Sequence, residues 1–350
     1  MAYAVASGVD PLGRRAFLAS LSASCLSPWL KAAQQANAPS ADISLSVAEV
    51  EEFLKTAEVT DTHGTKVGVT ASIRATLADS RVTHFAHVQT IDESKAMHQT
   101  AMGTELNFRD TWKFNIAGYR LDRMLGLNMT PPSVERKFRG QQASFTWWMG
   151  SAMMEAERLK KKRTPPDVDG FNHQMYIVRV FDQLIFNTDR NLQYLLITPD
   201  WKIWMIDHTR AFRRHKDLKN AKNLGQCERT LLTKLRSLTA AALETSLGDY
   251  LIDSEWGALL ARRDKIVQAF EKKIAAKGEG QVLYDLAPRD PLYRAGSKIL
   301  ASDERWPLAP AGSQPKCGGI IAARMRHGAL RTAGAERWIL CLDHAFRAAS

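Results

Sequence analysis

Asp189 sits in the run Asn187-Thr188-Asp189-Arg190-Asn191, and a second acid, Asp207, follows 18 positions later at the end of the apolar segment Trp204-Met205-Ile206. Between them, Leu195-Leu196-Ile197-Thr198, the turn pair Pro199-Asp200 and Trp201-Lys202-Ile203-Trp204-Met205-Ile206 read as a β-hairpin. A hairpin folds its ends together, so the two carboxylates emerge at one edge, close enough to share a substrate and a metal ion. That pairing suits phosphoryl transfer, in which one acid orients or deprotonates the attacking hydroxyl while another holds Mg²⁺ against nucleotide phosphates. Single acids at such places also cap turns and end strands, so the flanking segments carry the argument.

Those segments, Phe181-Asp182-Gln183-Leu184-Ile185-Phe186-Asn187-Thr188-Asp189-Arg190-Asn191 and Ile206-Asp207-His208-Thr209-Arg210-Ala211-Phe212, resemble the catalytic and metal-binding segments of phosphatidylinositol 3/4-kinase-like and HipA-like proteins. The stretch from Ala117 to Leu127 with Pro131-Pro132-Ser133-Val134 is similar to the helix and following strand of the small lobe in that superfamily, and uncharacterised bacterial proteins share the same core. The resemblance spans roughly residues 60 to 280. It implies an α+β, bilobal protein-kinase-like fold with a small β-rich N-lobe and a larger helical C-lobe. It further implies ATP and Mg²⁺ as cofactors, Asp189 as the residue orienting the acceptor hydroxyl, and Asp207 as the Mg²⁺ ligand. Arg190 would balance the local negative charge, and Asn187 or Thr188 would fix the loop or cap it.

At three places the chain departs from the family pattern. Five residues beyond the catalytic acid the family supplies an Asn for a second metal contact; here Tyr194 stands there, and the neighbouring Asn191 is the candidate substitute. The lysine that grips nucleotide phosphates from the third strand aligns with Gln89, leaving Lys95 or Lys113 as alternative cations. The helix acid that pairs with that lysine aligns with Asn115, while Glu105 lies outside the helix. Each change removes a charge or ligand acting on the transferred phosphate or its metal. Two readings therefore stay open: an active phosphotransferase, and a catalytically inactive nucleotide-binding or partner-binding protein that keeps the kinase-like shape. The acceptor, whether protein, lipid or small molecule, presents the same hydroxyl oxygen to Asp189 in every case.

Elements able to position these residues are legible along the chain. Val50, Phe53 and Leu54 have helical spacing within Val47 to Thr56. Val67 to Thr70, Ala71 to Leu77 and Val82 to Ile91 read as antiparallel strands, with Gly64 and Gly68 at the first turn. Gly68 there is either a plain turn residue or part of a loop whose backbone N–H groups approach phosphate. Phe114 to Leu125 predicts an amphipathic helix ended by Gly126; Val134 to Phe138 and Ala143 to Trp148 predict two strands about Gly140. A helical large lobe follows from Met149, including the buried helix Phe171 to Phe186 that delivers the catalytic loop and a long helix from Glu255 to Lys277 closed at Gly278.

The 350 residues, 45% hydrophobic and 24% charged, suffice for one large two-lobed domain and exclude disorder throughout. The expected division is an N-terminal arm at 1–40, an N-lobe at 47–148, a C-lobe at 149–290 and a divergent tail at 291–350. The net charge of +11 suits an anionic partner such as nucleotide. Its one dense run, Arg158 to Arg163, has no interleaved aromatics, which argues against nucleic acid. Cys25, Cys227, Cys317 and Cys341 are too dispersed for a disulfide framework or zinc knuckle. Gly13-Arg14-Arg15-Ala16-Phe17-Leu18 before a diluted apolar run and Ala36-Asn37-Ala38 resembles a twin-arginine export signal; exported and cytoplasmic locations both stay open. No stretch reaches the ~18 apolar residues of a spanning helix.

Overall fold

The computed structural model describes residues 43–64, 73–100, 103–289 and 293–295. The Arg14-Arg15 segment, the Val67–Thr70 strand with Gly68, and the tail beyond 295 lie outside the described residues.

The chain enters through β1 (Ile43–Leu45) and α1 (Val47–Thr56). A reciprocal capping box starts α1: Ser46 Oγ accepts from the Glu49 amide at 3.3 Å, and the Glu49 carboxylate accepts from the Ser46 amide at 2.8 Å. Strands β2 (Glu58–Gly64), β3 (Ile73–Ala78) and β4 (Thr83–Gln89) follow. After them come β5 (Asp92–Thr100), β6 (Gly103–Thr111), α2 (Lys113–Met124), β7 (Ser133–Phe138) and β8 (Gln141–Trp147). Five strands form an antiparallel sheet in the order β2-β3-β4-β8-β7. The β7–β8 turn places Arg139 and Gly140 at φ +50° and +83°, the left-handed pair that a two-residue hairpin turn demands.

Strand alternation sorts this sheet into two faces. Ala75, Leu77, Ala86, Val88, Phe145 and Trp147 join Val50, Phe53 and Leu54 of α1 in one apolar core. The other face, carrying Arg74, Phe85, His87, Gln89, Ser144 and Thr146, is mostly polar. Helix α2 serves both lobes. Phe114, Ile116, Ala117 and Leu121 enter the second core, whereas Asn115 donates to Ser144 Oγ on β8 at 3.2 Å.

The helical lobe follows β9 (Met153–Met154) and α3 (Glu155–Lys160). Its first long element is α4 (Val168–Leu184), capped by Asp167, and next comes the hairpin β10 (Leu195–Ile197) and β11 (Ile203–Met205). The remaining elements are β12 (Cys227–Glu228), α5 (Arg229–Ser237), α6 (Ala240–Leu247), α7 (Asp253–Lys277), α8 (Glu279–Val282), β13 (Leu283–Tyr284) and β14 (Tyr293–Ala295). Among the described residues no helix is long and apolar enough to cross a membrane. The basic run is surface: Arg158 pairs with Glu155 and Lys161 with Glu157, while Lys160, Lys162 and Arg163 are exposed.

Two features differ from the sequence expectation. Residues 92–111 form a hairpin inserted between β4 and α2, joined in register from Asp92 opposite Thr111 to Thr100 opposite Gly103. The chain also returns past residue 290: β14 pairs antiparallel with β1, and Tyr293 is buried against Trp147 and Trp204 in the small-lobe core.

Candidate active site

Three apolar strands build the floor. Leu195 opposes Met205 and Ile197 opposes Ile203, and β9 extends the sheet through Leu196 opposite Met154; all six residues of β10 and β11 are buried. The turn closes as Thr198 N donates to Lys202 O at 3.1 Å, with Trp201 in the left-handed region at φ +59°. Asp189 therefore enters this hairpin and Asp207 leaves it at the same end.

Arg190 locks that end. Its Nε donates to both carboxylate oxygens of Asp182 at 3.1 and 3.2 Å, Nη1 donates to the carbonyls of Tyr194 and Ile206 at 3.0 and 2.7 Å, and Nη2 meets His208 Nε2 at 3.1 Å. The guanidinium is spread over α4, the loop that holds Asp189 and the segment after β11. The charge-balancing role expected of Arg190 is exerted most directly on buried Asp182, with a smaller pull on Asp189. An arginine can only donate here, so His208 accepts through Nε2. Burial and the adjacent Arg190 charge hold His208 well below the ordinary histidine range. The neutral ring packs on α2 at Gly118, where a Cβ would lie 3.0 Å from His208 Cγ. The loop's other anchor is Asn115, whose Oδ1 accepts from the His208 amide at 2.8 Å.

Asp189 is partly exposed, and its amide donates to Oδ1 of the buried Asn187 side chain at 2.9 Å. Burial pushes its carboxyl above the usual range; Arg210 opposes this, and the negative charges of Asp207 and Asp110 add to it. Asp207 lies in the left-handed region at φ +55° and accepts from Thr209 Oγ1 at 3.1 Å. Phe186 and Phe212, at φ +47° and +54°, flank the same two loops and are joined through the Phe212 amide on Ile185 O at 2.6 Å. Left-handed bulky residues cost on the order of 1–3 kcal/mol each and persist where the surroundings over-determine them.

Arg210 faces the acids: Nε donates to Asp110 Oδ2 at 2.7 Å, and Nη1 lies 3.6 Å from Asp189 Oδ2. Burial disfavours its charge, but Asp110, Asp189 and Asp207 outweigh that and raise its pKa. Asp110 comes from the inserted β5–β6 hairpin, which is docked on the helical lobe by Glu105 on Arg213 and Arg109 on Glu255. Sequence reasoning missed both Asp110 and Arg210, because their partnership spans 100 positions.

The remaining expected residues separate into those near the acids and those away from them. Tyr194 is near: burial first, then Asp207 and Asp189, push its phenol up, while a hydrogen bond with Asn191 pulls the other way. Asn191 therefore shares the loop with both acids; its Oδ1 accepts from the Gln193 amide at 2.8 Å. Gln89 instead turns its Oε1 onto the Thr90 and Ile91 amides at 3.0 and 3.1 Å, closing the end of β4. Two residues earlier on the same face, His87 feels Asp207: burial lowers its pKa and the carboxylate opposes that. Lys95 is a surface residue of β5, held by Glu93 at 2.7 Å near the Phe108 ring. Lys113 lines a separate polar cavity of about 340 Å³ with Thr90, Trp112, Glu135 and Gln142. Among the described residues neither lysine forms an ion pair with Asp189 or Asp207.

Among the described residues no group of three His, Cys, Asp or Glu side chains is arranged to hold a metal alone. The oxygen donors Asp207 and Asn191, beside the carboxylate of Asp189, nevertheless fit a hard divalent cation that completes its shell with water and phosphate. Mutual repulsion among the carboxylates points the same way, since an added cation relieves it.

No family model matches the chain, and no curated protein matches it by sequence. Solved structures do match in fold. A Fam20 protein of hydra, solved with sugar, superposes with a TM-score of 0.53 at 13% identity, covering 68% of this chain and 92% of its own. The Golgi casein kinase superposes with a TM-score of 0.50 at 15% identity, covering 71% of this chain and 78% of its own. At such identities the likeness concerns the backbone, and the finer resemblance to phosphatidylinositol 3/4-kinase-like and HipA-like proteins draws no support from it. With the sheet order, the bridging helix α2 and the β10–β11 floor, it shows that the chain has the bilobal protein-kinase-like fold, a β-rich N-lobe over a helical C-lobe.

Proposed function

We propose that this protein is a phosphotransferase that moves the terminal phosphoryl group of ATP to a hydroxyl acceptor. The observation that carries the reading is the delivery of Asp189 and Asp207 to one end of a buried hairpin, close enough for the Asp207 charge to act on Asp189. Asp189 accepts a hydrogen bond from the acceptor hydroxyl and orients its oxygen toward the terminal phosphorus. As the new P–O bond forms, the bond to the bridging oxygen breaks, ADP leaves, and the acceptor proton passes to Asp189. The raised proton affinity of Asp189 suits it to that task. Asp207 and Asn191 would hold Mg²⁺, which supplies positive charge to the nucleotide phosphates. Within this fold, the segments Phe181 to Asn191 and Ile206 to Phe212 support the phosphatidylinositol 3/4-kinase-like and HipA-like branch.

One observation favours a second reading, nucleotide or partner binding without turnover. Gln89 and Asn115 both spend their side-chain oxygens on backbone amides, leaving no lysine–acid pair between β4 and α2. Thermal unfolding with and without Mg²⁺–ATP, beside Asp207→Asn, tests both. Binding at a hundred times Kd stabilises by about 2.7 kcal/mol, a shift of roughly 5–10 °C for a domain of this size. A shift lost in Asp207→Asn, together with phosphate transfer or ATP consumption, supports the phosphotransferase; a shift without turnover favours the second reading. No shift at millimolar nucleotide refutes nucleotide binding.

A further inference from the structure

We propose that Arg210, held by the β5–β6 insertion, is the cation that grips the terminal phosphate of the nucleotide in place of the missing strand lysine. The inference rests on the phosphotransferase reading and names a residue that reading does not require.

Four observations place it. First, Arg210 is the guanidinium beside both acids: Nη1 lies 3.6 Å from Asp189 Oδ2, too long for a hydrogen bond, and the side chain remains 30% exposed. The group is therefore directed at the catalytic carboxylate without being consumed by it. Second, Nε is fixed at 2.7 Å by Asp110, a residue only 1% exposed. A charge-assisted bond to a buried partner sets the orientation of the planar fork. Third, the main chain on either side is tied down. Thr209 O accepts from the Thr111 amide at 3.0 Å, and Arg210 O accepts from Thr188 Oγ1 at 3.2 Å, so the segments carrying Asp110, Arg210 and Asp189 are tied to one another. Fourth, the other cations around the loop are engaged: Arg190 is spread over Asp182, two carbonyls and His208, Lys219 donates to the Asn187 and Thr188 carbonyls at 3.4 Å beneath the Asp189 loop, Lys95 pairs with Glu93, and Lys113 lines a different cavity.

The insertion acquires a role on this view. Glu105 on Arg213 and Arg109 on Glu255 dock the hairpin across the helical lobe, and the docked hairpin presents Asp110 to Arg210. A phosphate arriving between Asp189 and Arg210 replaces a carboxylate neighbour with a more highly charged, bidentate one.

A purely structural arginine would balance Asp110 and Asp189 and nothing more, so the test separates nucleotides differing by one phosphate. Dissociation constants for Mg²⁺–ATP and Mg²⁺–ADP are measured by calorimetry on the full chain, Arg210→Gln, Arg210→Lys, Asp189→Asn and Asp207→Asn. Loss of one charge-assisted contact predicts that Arg210→Gln weakens ATP about 10- to 100-fold and ADP less than about threefold. Arg210→Lys, which keeps the charge should Arg210→Gln fail to fold, retains most of the preference for ATP. Asp189→Asn keeps or improves ATP affinity, because the carboxylate competing for the guanidinium is gone. Equal weakening of ATP and ADP in Arg210→Gln, or no change in either, overturns the assignment while Asp207→Asn still tests the metal site. Absence of nucleotide binding by the parent chain overturns this inference together with the phosphotransferase reading.

Discussion

Replacing Arg190 by alanine removes one guanidinium that serves five acceptors. Four groups lose a partner at once: the Asp182 carboxylate, two backbone carbonyls and the His208 ring nitrogen. The arginine side chain is 8% and the Asp182 side chain 14% exposed, so water replaces little of what is lost. Breaking a buried pair and leaving one charge behind costs about 3–5 kcal/mol, a large part of the 5–15 kcal/mol that holds a typical domain folded. Burial already raises the Asp182 pKa against the pull of Arg190, so without the arginine the carboxyl takes up a proton more readily and the loss is greatest at neutral pH. Urea unfolding of the parent, Arg190→Ala, Asp182→Asn and the double variant forms the measurement. Because the second change removes the orphaned charge, the double variant should recover roughly half the loss, about 1.5–2.5 kcal/mol, relative to Arg190→Ala. An Arg190→Ala protein within 1 kcal/mol of the parent, or a double variant that recovers nothing, would refute the clamp.

Two further perturbations probe the same region from α2. Gly118→Ala gains about 1 kcal/mol of helix propensity, yet its Cβ would sit 3.0 Å from His208 Cγ and 3.2 Å from Nδ1. The ring is held by Arg190 and its amide by Asn115, so it cannot yield, and a net loss of about 1–2 kcal/mol is expected in thermal or urea unfolding; equal or greater stability would show that the ring gives way. Asp122 supplies a pH signature. Burial pushes its carboxyl up to about 6, against Arg123, the Met129 amide and Arg289. A folded-state pKa above the unfolded value of about 3.9 means that the native state binds the proton more tightly. Its contribution is fully present below pH ~4 and is lost as pH rises through ~6, by an amount on the order of 3 kcal/mol. Asp122→Asn should flatten that part of the stability profile, and an unchanged slope between pH 4 and 6 would count against the assignment.

Sequence alone determined the features encoded within a few residues. Helix α1 spans Val47–Thr56 because Ser46 and Glu49 cap it and Val50, Phe53 and Leu54 share one face; α7 stops where Gly278 takes φ +83°. The β10–β11 hairpin follows from two apolar runs about Pro199-Asp200, and it carried Asp189 and Asp207 to the same end before any contact was known. Spacing of that kind is local, set by periods of two and 3.6 residues and by turn chemistry. Tertiary structure decided what depends on distant segments meeting. The β5–β6 hairpin has little apolar alternation to betray it, since residues 93–97 are exposed in succession and Leu106 is 63% exposed. Its fold depends on Phe108 and Asp110 reaching the helical lobe. Arg210 with Asp110, Arg109 with Glu255, and β1 with β14 join positions 100, 146 and some 250 apart, separations over which periodicity carries no information. His87 faces Asp207, and Gln89 closes its own strand, because the pleat register of β4 is fixed by pairing with β3 and β8. A shift of two residues keeps the same face toward the cleft, so the amino-acid pattern reads alike for either residue and only the packed lobes distinguish them.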